Sequence, residues 1–297
     1  MPSFRILKDK FAGGVMFFLT VMALLLVVVM GTGLYLKSAP ILEDRSLADL
    51  LLSSNWRPLR GEFGFLPFLM GTLWVTAIGI VLAFPVALLT AVFLTEYSDA
   101  RVKKYVFPAL DILAGIPSVI YGVWGVILIV PWISEKLAPR FVEFSTGYTV
   151  FAGGIVLGVM ILPLLTSLFI ELFSSVSMQL REVSMALGAT KWQTVKKTVL
   201  RQTLPGILAA VILAISRAFG ETIAVLMVCG NLPQIPRSLF DAAYPLPALI
   251  ANNYGEMLSL PLYEAALMFA ALILFVVILL FNVVSRAILY RIEKKFF

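Results

Sequence analysis

The 297-residue sequence contains no histidine and a single cysteine, Cys229. The first absence removes the commonest metal ligand and the commonest general acid–base group. The second excludes an intramolecular disulfide. Charge is also scarce: 13% of the residues are Asp, Glu, Lys or Arg, about half the share of a soluble domain. No Gly-x4-Gly-Lys-Ser/Thr segment occurs, so the chain has no P-loop with which to bind ATP. Energy for any work must come from another polypeptide or from an ion gradient. These absences argue against a soluble enzyme, a disordered chain and a nucleic-acid-binding domain. They leave no catalytic residue, metal ligand set or cofactor site to name.

What is present is apolar. Hydrophobic residues make up 61% of the chain, and the mean hydropathy is +0.99. A bilayer core needs about 20 apolar residues in a helix. Six stretches meet that length, near residues 11–36, 66–95, 105–130, 148–173, 205–229 and 262–289. Barrel strands would be about half as long and alternate in polarity. The fold class is therefore an all-α integral membrane protein with six transmembrane helices. The first stretch follows Arg5, Lys8 and Lys10, as a secretory signal would. It is too long for a signal core and lacks a small-x-small end, so it reads as a retained anchor.

Six spans place both termini on one side. The loops on that side, with the termini, hold fourteen Lys and Arg residues against seven on the other. The positive-inside rule makes the basic side cytoplasmic. Topology thus accounts for the net charge of +6 without a nucleic-acid partner.

Residues 174–204 form the long cytoplasmic segment between spans. Leu180, Val183, Ala186 and Leu187 share one helical face, and Gly188-Ala189 breaks that helix. Thr190-Lys-Trp-Gln193 fits a capping box for a second helix, with Trp192, Val195 and Val199 as its apolar stripe. Pro205 stands where a further helix would start. An uncovered amphipathic pair either lies on the membrane surface or docks in a groove of a cytoplasmic partner. The spacing leaves both open.

The fifth span contains Arg217 and Glu221, which at i,i+4 spacing can pair on one helix face. Each charge costs about 2.5–3.5 kcal/mol at mid-bilayer on insertion scales. One reading is a structural ion pair that fixes packing. The other is an anion path: a guanidinium fork matches phosphate-type oxygens and stays charged at any working pH. Glu221 would then occupy the guanidinium when substrate is absent.

In the third span Ala114, Ser118 and Gly122 recur every four residues, as in close helix contacts. Pro117 there frees the carbonyl of residue 113. Ser118 and Tyr121 are candidates to line the path. Gly154 and Gly158 suit packing alone, and Cys229 a small apolar role. Residues 37–65, with mixed charge around Trp56 and Pro58, read as a solvated external loop with room for a short helix, rather than a catalytic site. Residues 231–261, with five prolines, read as a lid or docking surface, or else as an irregular connector.

Two resemblances narrow these options. Glu182-Val-Ser-Met-Ala-Leu-Gly188-Ala189 resembles the EAA loop of ABC importer permeases in the Glu-to-Gly spacing and in its place between the fourth and fifth spans. It departs from that pattern at Val183 and Ser184, at Thr198, and at Leu200-Arg201, where Leu-Pro is usual. Ala114-Gly-Ile-Pro-Ser-Val-Ile-Tyr-Gly-Val-Trp-Gly125 and Arg217-Ala-Phe-Gly-Glu-Thr-Ile-Ala-Val-Leu-Met227 resemble the permeases of the phosphate-specific ABC importer. Tyr121-Gly-Val-Trp-Gly125 and Trp56-Arg-Pro are more similar to the PstC type than to its paralogue PstA.

The resemblance implies a MetI-like type I permease core at residues 66–290, with 174–204 as the coupling loop. It implies a cytoplasmic N-terminus and anchor at 1–36, an extracytoplasmic loop at 37–65 and a cytoplasmic C-terminus at 291–297. The setting is a bacterial or archaeal cytoplasmic membrane. Inorganic phosphate is the implied cargo. Arg217, Glu221, Ser118 and Tyr121 are the implied path residues, and Glu182, Gly188 and Ala189 the implied contacts to the ATPase. The implied partners are a second, PstA-like permease, a homodimeric PstB-like cytoplasmic ATPase and a PstS-like extracytoplasmic phosphate-binding protein. Rival readings are a permease for molybdate, sulfate or a phosphonate, and a stand-alone gradient-driven anion transporter.

Overall fold

The computed structural model describes residues 2–255 and 261–296. Residues 256–260 of the expected external loop, and the two terminal residues, lie outside them. The described chain runs α1 (Pro2–Asp44), α2 (Leu47–Leu52), β1 (Trp56–Arg57), β2 (Glu62–Phe63) and α3 (Leu66–Tyr97). There follow α4 (Ala100–Gly115), α5 (Ser118–Arg140), α6 (Val150–Ser174), α7 (Met178–Ala186) and α8 (Lys191–Phe219). The chain continues with α9 (Ile223–Val228), α10 (Leu246–Asn253) and α11 (Pro261–Phe296). Six of these helices are long and apolar enough to cross a membrane: α1, α3, α5, α6, α8 and α11.

The third span differs from its sequence-based position. The apolar run from 105 to 130 crosses a break, because Pro117 forces the preceding Ile116 into an extended conformation (φ −67°, ψ 128°). Residues 100–115 form a separate helix, α4, which carries Arg101, Lys103, Lys104 and Asp111 and buries only Leu110. The span itself is Ser118–Arg140. Ala114 therefore does not share a helix with Ser118 and Gly122. The fifth span also differs. It starts at Lys191 rather than at Pro205, which α8 absorbs in its interior at the loss of one backbone hydrogen bond.

α3 and α6 form the most extensively packed pair. They approach closely because Gly154 faces Ile78 and Gly158 faces the Gly79 carbonyl. Ala83, Ala87 and Ala91 of α3 and Val156, Leu157, Ile161 and Leu165 of α6 are buried in this core, together with Ala210 and Ala214 of α8. Cys229 is buried in the same core.

A second, aromatic core lies at the other end of α3. Trp56 makes edge-on contacts with Phe63, Phe65, Phe68 and Tyr263 at centroid distances of 4.8 to 6.0 Å. Leu50 of α2 and Leu246, Ala248 and Leu249 of α10 complete it. Residues 47–65 are thus folded onto α3 and α11 rather than only solvated. Within the proline-rich 231–261 segment, α10 is a helix whose first four residues are buried, preceded by irregular chain at 231–245. α1 packs along α11 but leaves Phe17, Leu24 and Val28 more than 60% exposed, as a lipid-facing helix requires.

Candidate transport path and coupling surface

α8 ends at Phe219. Gly220 donates to the Arg217 carbonyl (3.2 Å) and Glu221 to that of Ala218 (3.2 Å), closing the last turn. The short α9 then begins at Ile223. Arg217 and Glu221 therefore do not lie on one continuous helix. Lys37–Glu264, Arg45–Asp44 and Arg181–Glu96 form ion pairs, whereas the expected pair between Arg217 and Glu221 is not formed. Glu221 instead accepts the Ala224 backbone N–H (3.3 Å) and caps the first turn of α9. Each charge meets the helix end that favours it: a cation at the C-terminus of α8, an anion at the N-terminus of α9. The helix break was legible only as Gly220 followed by Glu-Thr, a stop signal next to a start signal.

Arg217 is exposed on the surface of its own chain. It lies at i+4 spacing on the row of Ala209 and Leu213, adjacent to the buried row of Ala210, Ala214 and Ala218. Next to it, the Ser216 hydroxyl is buried and makes no hydrogen bond.

Tyr121 and Ser118 sit at the start of α5. The Tyr121 hydroxyl donates to the Leu113 carbonyl at 2.7 Å, the group released by Pro117. Ile116 donates to the same oxygen at 3.3 Å. The Tyr121 side chain is buried. Ser118 is half-buried at the first position of α5. α9 packs directly on α5 at Gly122, where a Cβ would stand 2.6 Å from the Met227 sulfur and 3.3 Å from Ala224 Cα. The start of α5, with Ser118 and Tyr121, thus packs beside α9, which Glu221 caps and which follows Arg217 across the break, so two broken helices meet. In a membrane, irregular backbone of this kind persists only where protein or water satisfies it.

The coupling surface lies at the far end of α8. α7 closes in a Schellman turn: Gly188 donates to the Met185 carbonyl (2.9 Å) and Ala189 to that of Ser184 (3.2 Å). Gly188 has φ +85° and nothing near its missing side chain. The expected capping box is present: Gln193 N–H donates to the Thr190 hydroxyl (3.3 Å), and Thr190 N–H to the Gln193 side-chain oxygen (2.9 Å). α7 buries none of its residues. Glu182 is exposed, Ala189 half-buried, and Leu180, Val183 and Leu187 stand uncovered, Leu187 at 84% exposure. The stripe on the following turns divides: Val195 and Val199 are fully buried in the main core, while Trp192 stays half-exposed.

Periodicity did not disclose Glu96. It sits in a π-helical turn at Phe93–Tyr97, and its carboxylate lies 2.8 Å from Arg181 of α7. The two residues are 85 positions apart, beyond the reach of any local pattern.

The chain is 41% identical to the "Probable ABC transporter permease protein YqgH" of Bacillus subtilis (strain 168), over 70% of this chain and 66% of that one. It is 35% identical to the "Phosphate transport system permease protein PstC" of Mesorhizobium japonicum, over 83% and 80%. In fold it is similar to a chain of a bacterial alginate ABC transporter in complex with its pentasaccharide-bound periplasmic protein. That match has a TM-score of 0.54 and 18% identity, and covers 92% of this chain and 95% of that one. The family model for the inner membrane component of binding-protein-dependent transport systems matches residues 83–297. With that match over most of its length, the chain belongs to the binding-protein-dependent transport system inner membrane component family.

Proposed function

We propose that the chain is a permease subunit of an ATP-driven importer of inorganic phosphate, in a bacterial or archaeal cytoplasmic membrane with both termini cytoplasmic. The observation that carries this reading is Arg217. A guanidinium in the last turn of a membrane-spanning helix is exposed on the surface of its own chain. Lipid is a costly neighbour for it, so a second subunit or a water-filled path is the environment it needs. A second, PstA-like permease placed against this face would enclose a path between the two. The relatives named for phosphate transport support phosphate as the cargo.

The uncovered stripe of α7 supports the cytoplasmic half of the mechanism. Leu180, Val183 and Leu187 present an apolar ridge of the kind that docks in a groove. A homodimeric PstB-like ATPase would supply that groove, with Glu182, Gly188 and Ala189 at the contact. A PstS-like binding protein would deliver phosphate to the opposite face. ATP-driven closure of the ATPase dimer then moves α7, and α8 carries that movement to Arg217. Weak, transient contact at Arg217 suits a group that must also release its anion.

The test is phosphate uptake into proteoliposomes holding this chain, a candidate co-permease, the ATPase and the binding protein. Wild type is compared with Arg217→Ala, with an assembly lacking the ATPase, and with sulfate or molybdate as competitors. Uptake that needs the ATPase, collapses in the variant and resists the competitors is the expected result. Uptake without the ATPase would establish gradient-driven transport instead.

A further inference from the structure

Arg181 is held on every side. Its Nε donates to both oxygens of Glu96, at 3.1 and 3.3 Å, and its Nη2 to Oε1 at 2.8 Å. Nη2 also donates to the Phe173 carbonyl at 2.7 Å, and Nη1 to that of Val176. The two side chains are only 12% and 8% exposed. One planar group therefore ties together the π-helical end of α3, the last turn of α6, the link that follows it, and α7.

The rest of α7 is barely attached to its own chain. None of its residues is buried. Its other polar tie to the fold is the bond between the hydroxyls of Ser184 and Thr194, at 3.0 Å, which leads into α8. Between α7 and the ends of α3 and α6 lies a cavity of about 400 Å³ lined by Thr95, Lys103, Met178, Met185 and Lys191. Apolar packing does not bridge that space, whereas Arg181 does. A buried ion pair is a poor source of stability, because desolvation offsets its attraction. It is a good source of fixed geometry, because the guanidinium fork accepts one arrangement.

We propose that Arg181 and Glu96 form the joint that carries displacement of α7 into α3 and α6. Arg181 is a positioning residue: it neither touches the anion nor lies on the exposed ridge. The proposal rests on the reading of α7 as the docking helix for an ATPase. It adds a second route of coupling beside the direct one through α8. Pressure on α7 moves the ends of α3 and α6 in step with it, and their close contact at Gly154 transmits the shift along both spans.

The test uses the complete assembly in proteoliposomes, with inorganic phosphate uptake and ATP hydrolysis measured on the same preparation. Arg181→Gln and Glu96→Gln are expected to retain the ATPase on co-purification and to keep hydrolysing ATP. Uptake per ATP should fall by about 2- to 30-fold, the span of effects seen for residues along coupling networks. A merely structural pair would lower assembly and both activities together. In a Glu96→Cys/Arg181→Cys variant, a short bifunctional thiol cross-linker should restore uptake per ATP, because it replaces the joint. Cys229 is fully buried and out of reach of the reagent. Normal uptake per ATP in Arg181→Gln, with the wild type coupled, would overturn the joint and leave the importer reading intact. If the glutamine variants do not assemble, the cross-linked variant decides, and failure to couple there also overturns the joint. Uptake by the wild type without ATPase would overturn both readings.

Discussion

The Tyr121 hydroxyl donates to the Leu113 carbonyl, 2.7 Å away across the break made by Pro117. The carbonyl that proline leaves without a helical donor is thus repaired by a side chain from the first turns of the next helix. The bond ties the end of α4 to the start of α5 across the break.

Tyr121→Phe removes that bond and leaves the 3.3 Å contact from Ile116 as the carbonyl's remaining partner. The expected cost is about 1 kcal/mol, the net value of one such bond. Thermal unfolding of the purified chain in detergent measures it. If Tyr121 serves only this repair, uptake at a temperature well below the transition stays near wild type. A large loss of uptake would give the phenol a place in the path as well.

Gly154→Ala acts through packing. The new Cβ would stand 2.3 Å from Ile78 Cγ2 and 2.5 Å from Ile78 Cβ, atoms of a stiff β-branched side chain. Overpacking of this kind costs about 1–3 kcal/mol. The yield of folded protein after membrane extraction should drop, and an Ile78→Ala change in the same chain should recover part of it.

Gly188→Ala acts differently, since nothing lies within 4 Å of the position. The cost comes from φ +85° alone and is about 1 kcal/mol, because an L side chain is disfavoured there. Insertion and the yield of folded chain should be unchanged. Uptake and ATPase co-purification should weaken, because the turn presenting Leu187 is altered. Unchanged co-purification and uptake would count against the docking role of this turn.

Glu182→Lys reverses an exposed charge on α7 and breaks no bond within the chain. Stability should change by less than about 0.5 kcal/mol, as for other surface substitutions. Uptake per ATP hydrolysed should fall sharply. A wild-type ratio would place the ATPase contact elsewhere on the cytoplasmic face.

Much of this protein is determined by sequence alone. Six apolar runs had to become six helices, because a bilayer offers no other partner for their backbone groups. The distribution of Lys and Arg, the Thr190–Gln193 capping box and the turn at Gly188 are equally local, and all could be read before any fold was known. Tertiary structure decided what local spacing could not. Residues 105–115 are apolar enough for a span, yet Pro117 severs them into a helix of their own. Arg217 and Glu221 have the spacing of a pair, yet the chain breaks at Gly220 and gives each charge a different helix end. Glu96 and Arg181 meet across 85 residues through the packing of α3 against α6 and the path of α7 beneath them. Hydropathy and capping act within a few residues of one segment, so they are written in order along the chain. Which buried charges meet depends on how separate segments pack, and only the folded molecule brings those segments together.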